Sequence, residues 1–234
     1  MKVAVMQPYL FPYLGYFQLV NAVDVFVFAD DVNFIKRGWI NRNRILLNKE
    51  EYYVTVPCIK ASQNKLINEI QVSTQTKGYP ENLLITIKQA YKKAPFFDKI
   101  FPIIQSIFNN QYTSISELAS NSVIIISKYL EIETTFKYSS ICCGQTKGQE
   151  RSARLMNIVK EFGSDHYINP IGGNTLYDKE HFKSNGITLD FLLPQITAYK
   201  QFNNDFVTDL SIIDVLMFNS PEKTKILLDQ YKLV

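Results

Sequence analysis

Short apolar runs alternate with amphipathic stretches at both ends of the chain. Lys2 to Met6 is apolar and rich in valine, and predicts a buried strand. Pro8 and Pro12 keep Gln7 to Pro12 out of a helix, because each fixes its own φ and restricts the residue before it. From Gly15 to Asn21 the spacing of Phe17, Val20 and Asn21 is helical. Val25 to Ala29 is a second apolar run that stops at Asp30-Asp31. Strand, loop, short helix and strand make a βαβ unit, hence a parallel pair joined by a right-handed crossover.

The pattern then changes. Arg44 to Asn48 and Tyr52 to Pro57 predict two strands around a turn at 48–51, and Leu66 to Val72 a third strand. Between 79 and 130 the period is helical. Tyr79, Leu83, Ile87 and Tyr91 share a face, Pro95 and Pro102 cut the middle, and Ser114-Ile115-Ser116-Glu117 is a capping-box pattern ahead of Leu118, Ser122, Ile125 and Tyr129. Alternation then returns. It predicts a strand over 135–141, a helix over 148–162 closed by Gly163, a strand from Tyr167 that stops at Pro170, a helix over 177–185 closed by Gly186, a strand over 187–193 and a helix over 211–218.

Alternation at both ends predicts an α/β fold: a mainly parallel, Rossmann-like sheet built from both chain ends, with a β-hairpin and a central helical insertion. We expect one domain over 1–234, with 79–131 as a helical insertion or subdomain.

Composition narrows the function classes. At 234 residues and 46% hydrophobic, the chain can bury a sizeable core. A net charge of +3 that is spread along the chain argues against nucleic acid and is compatible with an anionic small molecule. The three cysteines, Cys58, Cys142 and Cys143, fit neither a disulfide framework nor a zinc spacing, and suit a reducing compartment. The first residues lack the shape of a signal peptide, and no apolar run approaches the ~20 residues that span a bilayer. A cytoplasmic location with no membrane insertion is the expectation. Fourteen Tyr and sixteen Phe could stack on sugars or bases as well as pack a core.

Open α/β sheets bind ligands beyond the carboxyl ends of their strands, and three such loops carry candidate chemistry. The first, Gln7 to Tyr16, is stiffened by proline. It offers the amide of Gln7, the rings of Tyr9, Tyr13 and Tyr16, and Gly15, which would let an anion approach a helix N-terminus. The second starts at Asp30-Asp31, which could act as a base, orient a hydroxyl or amine, or hold Mg²⁺ beside a phosphate. It continues through Asn33, Lys36, Arg37 and Trp39 to Asn41, Arg42, Asn43 and Arg44, whose guanidinium groups suit phosphate or carboxylate. Ion pairs within that run are the competing structural reading. The third, Asn169 to Thr175, contains Gly172-Gly173, a possible nest of N–H groups or an ordinary turn. His166, at a strand start, could serve as a general base. We assign no metal ligands and no cofactor. Walker, dinucleotide-binding, zincin and α/β-hydrolase motifs are absent from the sequence.

These segments resemble the WbqC-like family. The run Gln7-Pro8-Tyr9-Leu10-Phe11-Pro12-Tyr13-Leu14-Gly15-Tyr16-Phe17 carries the longest and most specific motif. Asp30-Asp31, Asn41 to Ile45, Val56-Pro57, Tyr167 to Gly173 and Leu210 to Asp214 follow in family order. The family often has Ser-Gly where Asn169-Pro170 stand here. The resemblance implies a bacterial protein of surface polysaccharide (O-antigen) or lipopolysaccharide biosynthesis. It implies a transferase that places an acyl or aminoacyl group on the amine of a nucleotide-linked amino sugar. In that reading arginines hold the diphosphate, aromatics stack on base or sugar, and Asp30, Asp31 or His166 takes the proton. ATP-dependent adenylation or nucleotidyl transfer, metal-dependent glycosyl transfer, and a non-catalytic sugar-binding subunit are the alternatives.

Overall fold

In a strand buried on both faces, successive side chains must satisfy two cores at once. The computed structural model describes residues 1–202 and 205–234. In chain order the elements are β1 (Lys2–Met6), α1 (Leu14–Asn21), β2 (Val25–Phe28), β3 (Arg42–Leu47), β4 (Glu50–Thr55), β5 (Cys58–Ile59) and β6 (Gln71–Val72). The helices α2 (Glu81–Tyr91), α3 (Phe97–Asn109) and α4 (Ile115–Tyr129) follow. The last third is β7 (Thr135–Tyr138), α5 (Ser139–Cys142), α6 (Arg151–Glu161), β8 (His166–Pro170), α7 (Lys179–Ser184), β9 (Thr188–Pro194), α8 (Ile212–Phe218), α9 (Pro221–Leu228) and β10 (Tyr231–Leu233). Alternation sorts the strands. Val3, Val5, Val25, Val27, Tyr167, Leu189 and Phe191 enter one core with α6 and α7; Ala4, Phe26, Phe28, Ile168 and Leu192 enter another with α1, α8, α9 and the helices α2 to α4.

The sheet order is β10-β9-β8-β1-β2-β7. All neighbours are parallel except β10, which pairs antiparallel with the edge of β9. Read through the parallel strands, β7-β2-β1-β8-β9 is the 3-2-1-4-5 order of doubly wound sheets, in which chain direction reverses between β1 and β8. The α/β class, the mostly parallel sheet and the hairpin agree with the sequence pattern.

Local departures have local causes. The hairpin strands β3 and β4 start about two residues earlier than expected, because the turn is the pair Asn48-Lys49, both at positive φ (52° and 72°). Such a two-residue turn matches strand twist. The expected strand at 66–72 is mostly a one-turn 3-10 helix over Ile67–Glu69, with the Glu69 carboxylate accepting from the Leu66 N–H at 2.9 Å; Leu66 makes a lone bridge with Asn33, and only Gln71 and Val72 form a strand, paired with β5. Pro102 lies inside α3 instead of interrupting it. It faces solvent, and the carbonyl left without a donor belongs to exposed Asp98, within reach of water. The helix expected from 148 begins at Arg151, because Glu150 caps it by accepting from the Ser152 and Ala153 N–H groups. The strand expected over 135–141 stops at Tyr138, where Ser139 and Ser140 turn toward Asp30 and Asp31. Helix α9 and strand β10 lie beyond the predicted elements.

Candidate functional site

The loop after β1 is held from several sides. The Leu10 N–H donates to the Trp39 carbonyl (3.0 Å), and the Phe11 N–H to Ser122 Oγ (2.9 Å). The Asn43 amide donates to the carbonyls of Leu10 (2.9 Å) and Phe11 (2.8 Å), and Ser211 Oγ also donates to Phe11 (2.8 Å). These straps fix Phe11 at φ 41°, a value unusual for a residue with a side chain. Beneath the loop, buried Tyr16 donates its hydroxyl to the Gln7 carbonyl at 2.8 Å.

Above this platform a cavity of about 290 Å³ is lined by Tyr9, Tyr13, Trp39, Asn43, Arg44 and Asp209. Three segments far apart in sequence meet there: the loop after β1, the hairpin, and the loop before α8. Trp39 is the flat wall. Its outer side stacks on Tyr53 (centroids 6.3 Å apart, 16° between planes), and the Arg44 guanidinium stands 5.3 Å from its ring centroid. The Arg42 guanidinium lies 4.5 Å from the Tyr53 ring centroid, so each ring of the aromatic pair has a cation over it. Arg44 Nη1 meets Glu51 at 2.8 Å, Nη2 donates to the Asp209 carbonyl at 3.1 Å, and Nε is buried without a partner.

Burial raises the Tyr9 phenol above its ordinary value. It pushes Tyr13 up to about 12, with the charges of Tyr9 and Asp209 adding to the effect. Both phenols are therefore protonated at neutral pH and can donate hydrogen bonds into the cavity. Asn43 gives its amide to the loop and accepts from the Arg44 N–H, so it supports the wall more than it presents a free group.

Other predicted residues fall elsewhere. Gly15 and Tyr16 lie under the loop. A Cβ on Gly15 would come within 2.5 Å of the Tyr13 ring and 2.9 Å of Pro194, so the missing side chain makes room for an aromatic ring. Arg42 donates to the carbonyls of Gly38 (3.3 Å) and Arg37, and Asn41 to the Val56 carbonyl (2.9 Å). Asn33 and Arg37 are exposed. Gln7 is half-buried at the tip of β1. Gly173 makes room for the Asn169 amide, which a Cβ would meet at 1.8 Å, while Gly172 has open space around it.

The two aspartates form a separate cluster on the α6 side. Asp30 accepts from the Ser140 N–H (3.0 Å), Ser140 Oγ (2.6 Å), Ser139 Oγ (3.3 Å) and the Asn68 amide (3.3 Å). Asp31 Oδ1 accepts from Ser139 Oγ and pairs with Arg154 at 2.6 Å; its Oδ2 is buried without a partner. His166 stands at the amino end of the sheet, where its register partner is Lys2, and its Nε2 lies 2.8 Å from Asp190. It is thus at the opposite end of the strands from Asp30 and Asp31. Asp209, Arg154, Ser139 and Ser140 carry no motif that sequence reasoning could have found.

The model of the WbqC-like protein family matches residues 7–226. The chain belongs to the WbqC-like family. Its match runs from the first residue of the strapped loop to within α9, and so contains every residue of the cavity. A protein of Mycobacterium tuberculosis (strain ATCC 25618 / H37Rv), "Uncharacterized protein Rv1507c", is 29% identical over 225 residues, covering 93% of each chain. Its name assigns no activity. No solved structure matches the chain. Among the described residues of this WbqC-like chain no helix is long and apolar enough to cross a membrane, and no group of three or more His, Cys, Asp or Glu side chains is placed to hold a metal ion.

Proposed function

We propose that the cavity behind the proline-rich loop binds a nucleotide-linked amino sugar, and that the protein transfers an acyl or aminoacyl group to its amine in building bacterial surface polysaccharide. The observation that carries this reading is the grouping of Trp39, Arg44 and Asp209 around one cavity with two protonated tyrosines. A flat ring takes a base or sugar face, a guanidinium takes phosphate, and a carboxylate takes an ammonium.

Each residue then has a task. Trp39 stacks on the acceptor, Arg44 pairs with its diphosphate, and the Tyr9 and Tyr13 hydroxyls donate to sugar oxygens. Asp209 holds the amino group and accepts the proton released as the amine nitrogen bonds to the acyl carbon and the donor's leaving group departs. Asp30, and Asp31 through its Oδ1, are committed to Ser139, Ser140, Asn68 and Arg154. We therefore give them the task of bracing the ends of β2 and β7, and His166 no part in the transfer.

The test is a thermal-shift panel of nucleotide sugars, amino sugars included, with ATP–Mg²⁺ and acyl donors. A ligand of the native state at a hundredfold excess over its Kd adds about 2.7 kcal/mol of stability. A shift with an amino-sugar nucleotide, lost in Trp39→Ala, supports the reading. The strand order favours one rival, ATP-dependent adenylation, since such sheets bind nucleotides at the switch point. A shift with ATP alone, and pyrophosphate released in the presence of a carboxylic acid, would replace the first reading with the second.

A further inference from the structure

Cys142 and Cys143 are neighbours in sequence, and their Sγ atoms lie 2.8 Å apart. Side chains of consecutive residues more often diverge. Here α5 ends at Cys142, and the Cys143 N–H closes the turn on the Ser139 carbonyl at 3.0 Å. Cys143 leaves the turn at φ −135° and ψ 24°, with its sulfur beside that of Cys142. Cys143 is fully buried in the core under α6. Cys142 is half-buried between exposed Ile141 and exposed Gly144. One thiol is thus open to small solutes and the other is packed directly against it.

We propose that Cys142 and Cys143 are an oxidisable vicinal dithiol, closed to an intrachain disulfide by a low-molecular-weight disulfide. The Cys142 thiolate attacks one sulfur of that oxidant; the oxidant's S–S bond breaks, and its first half leaves as a thiol carrying the proton that Cys142 lost. Cys143 Sγ then attacks the Cys142 sulfur of the mixed disulfide. The Cys142–Cys143 bond forms, and the second half leaves with the proton from Cys143. Two protein thiols lose two electrons, and one small disulfide becomes two small thiols. Cys142, the more exposed of the two sulfurs, is the first nucleophile, because burial closes Cys143 to a solute and raises its thiol well above its usual value.

The geometry also sets the character of the bond. Adjacent Cα atoms are about 3.8 Å apart across a trans peptide, short of the roughly 4.4–6.8 Å usual for disulfides. Such a bridge is strained and readily reduced, and strained bridges are the labile, regulatory ones. Its place gives it something to regulate. The helix α5 that ends at Cys142 also supplies Ser139 and Ser140, which hold Asp30 and Asp31. The Cys143 carbonyl accepts from Thr146 Oγ1 (2.7 Å), and that hydroxyl accepts from Arg154 Nε (3.3 Å), the residue paired with Asp31. Closing the bridge changes the backbone at 142–143 and loosens these donors together.

The experiment uses the full chain. It is equilibrated with oxidised glutathione over a range of ratios to the reduced form, quenched with iodoacetamide and cut with trypsin. Cleavage after Lys137 and Lys147 gives a peptide, 138–147, that contains these two cysteines and no other. The expected product is that peptide lighter by two hydrogens, unalkylated, and restored by dithiothreitol. Cys58→Ser should leave it unchanged, and Cys142→Ser and Cys143→Ser should abolish it. Hydrogen exchange over 28–34 should speed up in the oxidised protein. A peptide that stays doubly alkylated, or carries glutathione on Cys142 without closing, overturns the proposal. Closure with unchanged exchange over 28–34 overturns its link to the aspartates. The wild-type peptide carries the result, so a variant that fails to fold does not remove it.

Discussion

Trp39 and Tyr53 lie face to face, 16° from parallel, as the shared wall between two cavities: Trp39 lines the one that holds Arg44 and Asp209, and Tyr53 lines a groove of about 340 Å³ beside α2. One ring serves the proposed ligand and the other serves the ring. Trp39→Ala should therefore abolish the ligand-induced thermal shift. Its stability cost includes the aromatic pair, about 0.5–1.5 kcal/mol, and the cation–π contact with Arg44, about 0.5–1 kcal/mol. Tyr53→Ala should lose the pair and its own cation–π contact with Arg42, and keep most of the shift. Equal loss of the ligand shift in both variants would assign binding to the groove as much as to the cavity.

The Arg154–Asp31 pair tests the bracing role. Removing one partner of a buried pair leaves the other charge uncompensated, which costs about 3–5 kcal/mol. Arg154→Met should destabilise by that order in urea unfolding, and the double variant Arg154→Met, Asp31→Asn should recover much of the loss. If Asp31 is a brace and not a base, Asp31→Asn should also keep turnover in whatever fraction stays folded. Turnover lost from a folded Asp31→Asn protein would return the base to Asp31.

What the sequence made legible here follows from range. The βαβ start and the turn glycines rest on neighbours within a few residues, where periodicity and proline chemistry act. The proline loop and the Trp39 segment were readable as candidate ligand groups because unusual residue types crowd into short runs. Arg154 was not readable as the partner of Asp31, 123 positions away, since an isolated arginine on an amphipathic helix looks like any solvated cation. Asp209 reaches the cavity only because the loop before α8 folds back on the hairpin, through the Ser211 N–H and the Arg44 carbonyl. Gly15 is a different case: sequence shows that a Cβ is missing, but not whether an anion or the Tyr13 ring fills its place.

Asp214 gives a pH dependence with a defined sign. It is fully buried, and accepts from Tyr91 (2.8 Å), Tyr199 (2.7 Å) and Gln201 (2.7 Å). Burial raises its pKa and the three donors partly offset that rise. The folded carboxyl thus binds its proton more tightly than the unfolded one, whose ordinary value is 3.8. Its contribution to stability is greatest below that value, declines as pH rises toward the folded pKa, and is level above it. Other carboxylates titrate in the same range, so the measurement is a difference. The stability of wild type relative to Asp214→Asn should fall with rising pH from about 4 upward. A difference that rises with pH would mean that the hydrogen bonds outweigh burial.

Two glycine substitutions separate packing from free space near the proposed site. At Gly15 an alanine Cβ would meet Tyr13 Cε2 at 2.5 Å and Pro194 Cγ at 2.9 Å, with the helix backbone unable to retreat from a strapped loop. The Tyr13 ring must swing, and Tyr13 is a wall of the cavity. Overpacking of this kind costs about 1–3 kcal/mol, and it should weaken the ligand shift along with stability. At Gly172 the same Cβ meets nothing within 4 Å, and φ is not in the left-handed region. Gly172→Ala should stay within about 0.5 kcal/mol of wild type and keep the shift, because the Gly-Gly turn takes no part in the proposed binding. If Gly172→Ala is stable yet loses the ligand, an anion does sit on the turn N–H groups, and the binding site extends along the sheet edge to the crevice between β1 and β8.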